Sequence, residues 1–202
     1  MAKILVLFAH PAFEKSRVHL KLVKHIPSQQ GIRFHDLYEN YPDFHIDIER
    51  EQQLLLQHDI IIFQHPFYWY SAPAIIKQWM DLVLEHGWAY GRTGKALTGK
   101  IMLNAISCGG SLQSYLPTGK NNRKIRDYLL PFEHSATLCN MEYWPPFVIH
   151  GTHKLTDTDM HLHAVQYEQL LLALADDRFS VAEKSTCNYM NDLIPIPSSI
   201  QS

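Results

Sequence analysis

At 202 residues the chain has room for one α/β domain with a fully covered sheet and is short for two. Apolar residues make up 46% and charged residues 19%, with a formal net charge of -2, which excludes a disordered chain and a nucleic-acid partner recruited by bulk charge. The first apolar run, Ile4 to Ala9, is too short for a secretory leader or a membrane span and is cut off by Pro11, so the chain is read as cytoplasmic. Cys108, Cys139 and Cys187 stand far apart without a Cys-x-x-Cys pair, the pattern of reduced thiols.

In chain order, Lys3–Ala9 is a continuous apolar run and reads as a strand buried on both faces. From Ser16 to Ile26, Val18, Leu22 and Ile26 recur every four residues, the face of an amphipathic helix ended by Pro27. Ile32–Tyr38 is a second strand and Ile48–Gln57 a second helix. Ile60–Phe63, β-branched and aromatic, is a third strand that stops before Pro66. Pro73 opens a helix through Ile76, Trp79, Met80 and Val83; Ile101–Ile106 is a fourth strand and Phe147–Ile149 a fifth. Thr156-x-x-Asp159 is a capping box for a last helix through Met160, Ala164, Tyr167, Leu171 and Leu174. Strands separated by helix-length segments need crossover connections. The expected fold is therefore a doubly wound α/β domain, a five-stranded parallel sheet with helices on both faces over residues 1–177. Residues 178–202, ending Ile194-Pro-Ile-Pro-Ser-Ser, read as an extended tail.

In such a sheet ligands bind beyond the carboxyl ends of the strands, so three loops matter: His10–Ser16, His65–Tyr70 and Ser107–Ser111. The first leads into a helix N-terminus that suits a phosphate; it contains no glycine, so neither a dinucleotide fingerprint nor a P-loop is present, and Ser16 reads either as a plain N-cap or as part of a monophosphate site. The second holds four consecutive aromatics, Phe67-Tyr68-Trp69-Tyr70, too many to face one core and suited to a flat ring. In the third, Gly109-Gly110 permits close approach of the backbone to a ligand, or is simply a turn.

Asp59 to Asp81, followed by His86-Gly-Trp-Ala-Tyr-Gly, is a long and specific motif. With Ala9-His10-Pro11, His35–Ile48, Leu97-x-Gly-Lys and Pro131-Phe-Glu, it resembles the NAD(P)H:quinone oxidoreductase family of flavodoxin-like proteins, in particular the branch of ancillary proteins of glutathione-regulated potassium-efflux systems. The resemblance spans about Lys3 to Ala175. It implies that His10, Ser16, Arg17 and Val18 line a flavin phosphate and ribityl chain, that Pro66, Phe67, Tyr68, Trp69 and Tyr70 lie along the isoalloxazine, and that Ser107, Cys108, Gly109 and Gly110 contact its pyrimidine edge. Tyr115 is implied as the catalytic hydroxyl. Trp69, Tyr70, Trp88, Tyr90 and Lys120 would line the substrate pocket, Trp88 and Tyr90 coming from the second subunit of a homodimer. The implied cofactor is FMN, with FAD as the alternative, NAD(P)H the co-substrate and a quinone the acceptor, in ping-pong order. The rival reading is a regulatory ancillary subunit of a glutathione-gated potassium/proton antiporter, held at the inner face of the membrane by that partner.

The sequence departs from the resembled pattern in three places: Ser107-Cys108 replaces the usual Thr-Thr, Lys120-Asn121-Asn122 stands where many relatives have a histidine, and Val18-His19 stands where many carry asparagine. His150-x-x-His153 and His161-x-His163 lack the His-Glu-x-x-His pattern and a third ligand, so no metal is expected. His10, at a strand end, is read as cofactor-proximal.

Overall fold

The computed structural model describes residues 1–28, 31–179, 183 and 186–194. Strands β1 (Ile4–Phe8), β2 (Ile32–Asp36), β3 (Ile60–Pro66), β4 (Ile101–Ser107), β5 (Glu142–Tyr143) and β6 (Phe147–Ile149) form one sheet. Its order is β2-β1-β3-β4-β5, with β6 also paired to β4, and every pairing is parallel. Successive side chains of a strand face opposite sides of a sheet. Accordingly Leu5, Leu7, Ile61 and Phe63 enter one core, and Ile4, Val6, Ile60 and Ile62 the other. Both sets are fully buried, which explains why these strands read as unbroken apolar runs.

The first core is covered by α2 (Leu37–Asn40), α3 (Ile48–Leu56), α4 (Ala74–Val83), α5 (Ile125–Tyr128) and α6 (Leu130–Leu138). The second is covered by α1 (Arg17–Lys24) and α7 (Asp157–Ala175). Helix starts fall where the local chemistry puts them: the Ser16 side chain caps α1, Pro73 precedes α4, and Thr156 with Asp159 forms the reciprocal capping box of α7. Among the described residues no helix is long and apolar enough to cross a membrane.

Four details differ from the sequence reading. β2 ends at Asp36 rather than Tyr38, because the Asp36 carboxylate accepts the Tyr38 and Glu39 N–H groups and starts α2. β3 runs on to Pro66, in register with Ser107 of β4. The fifth strand is preceded by the short β5; Pro145-Pro146 between them cannot donate to a ladder, so β5 pairs with Ile101–Met102 and β6 with Ala105–Ser107. Helices α5 and α6 fill a stretch without helical periodicity, α6 burying only Phe132 and Ala136.

Within the segment expected to be a tail, Met190–Leu193 makes a 3-10 turn whose Met190 is buried in the second core. The Asn191 side chain accepts the Val148 N–H, and Gln166 donates to the Asn191 and Ile194 carbonyls, so this segment covers the open edge of β6. Residues 195–202, most of the Ile194-Pro-Ile-Pro-Ser-Ser motif among them, lie outside the described residues.

Candidate functional site

The chain leaves β1 and returns at β3 on its other side, so the loops following these neighbouring strands diverge and open a crevice at the carboxyl edge. A cavity of about 660 Å³ lies there, lined by the loop after β1, the α1 N-terminus, Pro66–Trp69, Ser107, Gly109, Thr152 and His153. A second hollow of about 350 Å³ adjoins it across Phe67 and Trp69, which line both; Tyr70, Gly110, Ser114, Tyr115, Lys120 and Asn121 complete it.

At one end, Ser16 Oγ accepts the His19 N–H at 3.1 Å and caps α1, leaving its own O–H available to donate. The Arg17 and Lys15 side chains line the same end. His10 Nδ1 accepts the Ala12 N–H at 3.2 Å. Its Nε2 therefore carries the proton, and burial lowers its pKa despite the raising influence of Glu14. The arrangement is a set of donors at a helix N-terminus, suited to a single phosphate.

At the other end both glycines lie close against side chains. A Cβ on Gly109 would meet His153 Nε2 at 2.6 Å, and one on Gly110 would meet the Tyr115 ring at 2.8 Å. Tyr115 is buried against Phe67 and Tyr128. Burial, with Cys108 and two tyrosines nearby, pushes its pKa up to about 12, so at neutral pH it is a proton-bearing donor.

Tyr68–Ser71 is a tight turn, closed by Ser71 N–H to the Tyr68 carbonyl at 3.0 Å, with Trp69 and Tyr70 both at positive φ of 50° and 61°. Such a turn normally takes Asn-Gly. The strain presents Trp69 to solvent, 93% exposed, beside the cavity, while Tyr70 stacks on Tyr128. Backbone strain of this kind concentrates at binding sites. Trp69→Gly is accordingly expected to stabilise the fold by about 1 kcal/mol, since an exposed side chain gives up little packing and the left-handed residue no longer carries a Cβ. Urea unfolding measures this, and an unchanged or lowered midpoint would show that the turn is not strained.

Of the residues singled out in the sequence, His10, Ser16, Arg17, Val18, Pro66, Phe67, Tyr68, Trp69, Ser107 and Gly109 line the main cavity, and Tyr70, Gly110, Tyr115 and Lys120 the adjoining one. Cys108 lines neither. Its backbone N–H pairs with the Ile149 carbonyl and its thiol turns into the first core, 3.3 Å from His150 Nδ1, where burial pushes the pKa up to about 12. An inert thiol is the result. Tyr90 lines a separate groove of about 310 Å³ between α4 and α6, and Trp88 packs at the edge of the first core, so neither reaches the crevice of its own chain. Ser114 and Asn121 line the adjoining hollow, and Ala12, Lys15, Thr152 and His153 the main cavity, without having been singled out as site residues. For the last two the signal was available: Gly151-Thr152-His153 follows β6 at the same sheet edge as the other three loops.

The strand order and the position of the crevice are those of one fold family, the flavodoxin-like fold, which matches residues 2–171. The chain belongs to that family. The flavodoxin-like relatives include the uncharacterized NAD(P)H oxidoreductase YrkL of Bacillus subtilis (strain 168), 45% identical over 78% of this chain and 91% of the relative. The glutathione-regulated potassium-efflux system ancillary protein KefG of Pectobacterium carotovorum subsp. carotovorum (strain PC1) is 42% identical over 84% of this chain and 92% of its own length. Among solved structures, general stress protein 14 of Treponema denticola in complex with FMN superposes with a TM-score of 0.80 at 36% identity, over 87% of this chain and 98% of that one. An NADPH-quinone reductase from P. pentosaceus does so with a TM-score of 0.75 at 32% identity, over 83% and 96%.

Proposed function

We propose that this flavodoxin-like chain is an FMN-dependent NAD(P)H:quinone oxidoreductase that transfers hydride by a ping-pong mechanism. One observation carries the reading: the loops after β1, β3, β4 and β6 line two adjoining hollows of one crevice, with phosphate-type donors at one end and, at the other, a glycine pair packed against His153 and Tyr115 beside the exposed Trp69 and Tyr70. The residues present fit FMN, whose one phosphate matches one helix N-terminus; FAD is the alternative. The names of the relatives and of the FMN-containing neighbour support the same assignment.

When bound, the flavin would supply hydride acceptance from the nicotinamide and hydride donation to the quinone. Ser16, Lys15, Arg17 and His10 Nε2–H would hold the phosphate, with Val18 beside the ribityl chain. Pro66, Phe67, Tyr68, Trp69 and Tyr70 would hold the ring system by apolar and aromatic contact. Ser107, Gly109 and Gly110 would meet its polar edge, and the Tyr115 hydroxyl, keeping its proton, would stabilise negative charge gathering there, with Lys120 nearby as a second positive influence. Nicotinamide and quinone would use the same opening in turn. Trp88 and Tyr90 lie outside their own crevice and would enter a substrate pocket only in a homodimer in which each chain completes the other's.

The test is direct. Purified protein is expected to be yellow, to be bleached anaerobically by NADPH and to recover colour with menadione, and initial-rate plots at several quinone concentrations are expected to be parallel. Protein that binds no FMN on reconstitution ends the reading, and intersecting plots end the ping-pong order.

The second reading, an ancillary subunit of a potassium/proton antiporter, is favoured by the KefG relatives and by the loop segment Tyr41 to Asp47, which resembles that branch. That loop exposes Pro42, Asp43 and His45 while the buried Tyr41 and Ile46 on either side anchor it. Co-purification with the antiporter and altered potassium efflux on deletion would support it, and deletion without effect on efflux would exclude it.

A further inference from the structure

We propose that His19 is a positioning residue that aims the Ser107 hydroxyl proton into the crevice, its own tautomer being set by the Gln64 amide and the Tyr167 phenol beneath it. The direction of that hydroxyl is a property of the protein alone; its consequence for the ligand rests on the flavin reading.

Four buried groups form a line through the second core. Tyr167 Oη lies 3.0 Å from Gln64 Oε1, Gln64 Nε2 lies 3.4 Å from His19 Nδ1, and His19 Nε2 lies 2.9 Å from Ser107 Oγ. Amide and imidazole can each be turned or protonated in two ways, but the end of the line is fixed. A buried phenol has an O–H to place, and the Gln64 amide is its hydrogen-bond partner, so Gln64 must offer its oxygen; the reverse arrangement leaves a buried donor unsatisfied. Gln64 then turns its NH2 toward His19, Nδ1 must accept, and the ring proton sits on Nε2. Ser107 Oγ accepts that proton's hydrogen bond, and its own O–H is left to donate outward, where Ser107 lines the cavity. Full burial, with His10 and His65 nearby, holds the His19 pKa well below its ordinary value, so the ring is neutral and carries one proton.

A matching line runs on the neighbouring strands. Tyr143 Oη donates to Asn104 Oδ1 at 2.6 Å, Asn104 Nδ2 donates to His65 Nε2 at 3.0 Å, and His65 Nδ1 donates to the Pro66 carbonyl at 3.0 Å. This one is fixed from both ends, since a carbonyl only accepts and a phenol is again placed on an amide oxygen. Burial lowers the His65 pKa to about 4, leaving it neutral as well. The Pro66 carbonyl also receives the Tyr68 N–H at 3.0 Å, so both its lone pairs are used. Pro66 and Ser107 are register partners in β3 and β4. The two lines thus meet at one pair of residues on the crevice floor, where the carbonyl is saturated and the hydroxyl is left as a donor. A donor at that place favours a ligand edge carrying negative charge, and so favours reduced over oxidised flavin.

The first measurement is 15N NMR of histidine-labelled protein without flavin. His19 is expected as a single neutral tautomer protonated on Nε2, and in Tyr167→Phe as a mixture of both tautomers. A wild-type His19 protonated on Nδ1, or already mixed, would overturn the proposal. The second compares the affinities for oxidised and reduced FMN. Ser107→Ala and His19→Leu are expected to lower the preference for reduced FMN about tenfold, the worth of one well-placed hydrogen bond. His19→Gln, whose amide NH2 reproduces the Nε2 donor, is expected to restore it; equal preference in wild type and Ser107→Ala would overturn the consequence. If His19→Leu fails to fold, Tyr167→Phe takes its place, with a smaller drop expected. Wild-type protein that binds no flavin would end the functional reading while the tautomer result still decides the proposal.

Discussion

Glu51→Leu is expected to lower the unfolding free energy by about 3–5 kcal/mol, the cost of removing one partner from a buried charged cluster. Glu51 is fully buried between α3 and the first core, and its carboxylate takes three donors: His35 Nε2 at 2.8 Å and Tyr41 Oη at 2.6 Å on Oε1, and Trp79 Nε1 at 2.7 Å on Oε2. An apolar replacement leaves all three unsatisfied in a site closed to water. Glu51→Gln keeps one acceptor and is expected to lose less. Urea unfolding with an unchanged slope measures both, and a loss under about 1 kcal/mol for Glu51→Leu would show that these donors find other partners. The pH dependence has a definite sign. Burial raises the Glu51 pKa, but the hydrogen bond and charge of His35, with the Tyr41 and Trp79 bonds, more than offset this and hold it below its ordinary value. A carboxylate whose folded pKa is depressed contributes stability above its unfolded pKa and loses it as pH falls through the folded one. Wild-type stability should therefore fall more steeply than that of Glu51→Gln as the pH drops below about 4.3, the ordinary glutamate value.

Gly110→Ala is expected to cost about 1–3 kcal/mol, the range for forcing an extra carbon into a packed site, and to weaken flavin binding with it. The new Cβ would stand 2.8 Å from Tyr115 Cε2 and 3.2 Å from its hydroxyl oxygen, and the ring is 6% exposed and hemmed in by Phe67 and Tyr128, so it cannot swing aside. Gly109→Ala meets a similar distance, 2.6 Å, but against the tip of the exposed His153 side chain, which can turn away. The pair separates space from flexibility. Thermal unfolding is expected to drop for Gly110→Ala by about 2–4 °C per kcal/mol and to stay nearly level for Gly109→Ala. Equal effects of the two substitutions would mean that the Tyr115 ring is not held as described.

Part of the site was legible before the fold because its signals are local. A proline or a buried apolar run ending in a polar loop marks a strand end within a few residues, and at the carboxyl edge of a parallel sheet that is enough to single out His10–Ser16, Pro66–Tyr70 and Ser107–Gly110. Helix α6 had no such signal, since it buries only two residues one turn apart. Cys108 shows the limit in the other direction: its position beside Gly109-Gly110 suggested ligand contact, but side chains alternate along an extended segment, and the one that follows the cavity-lining Ser107 faces the first core.

What the amino-acid order determined by itself was the alternation of buried strands with capped amphipathic helices, because those patterns repeat every two or about 3.6 residues and require no knowledge of distant neighbours. What only the tertiary structure decided was which groups meet across the sheet: His19 with Ser107, 88 residues away, Gln64 with Tyr167 over 103, and His153 with Gly109. Nothing in a local stretch encodes such pairings. They arise because β1, β3 and β4 lie side by side while their residues are far apart in sequence, and because buried polar groups must find partners wherever packing sets them.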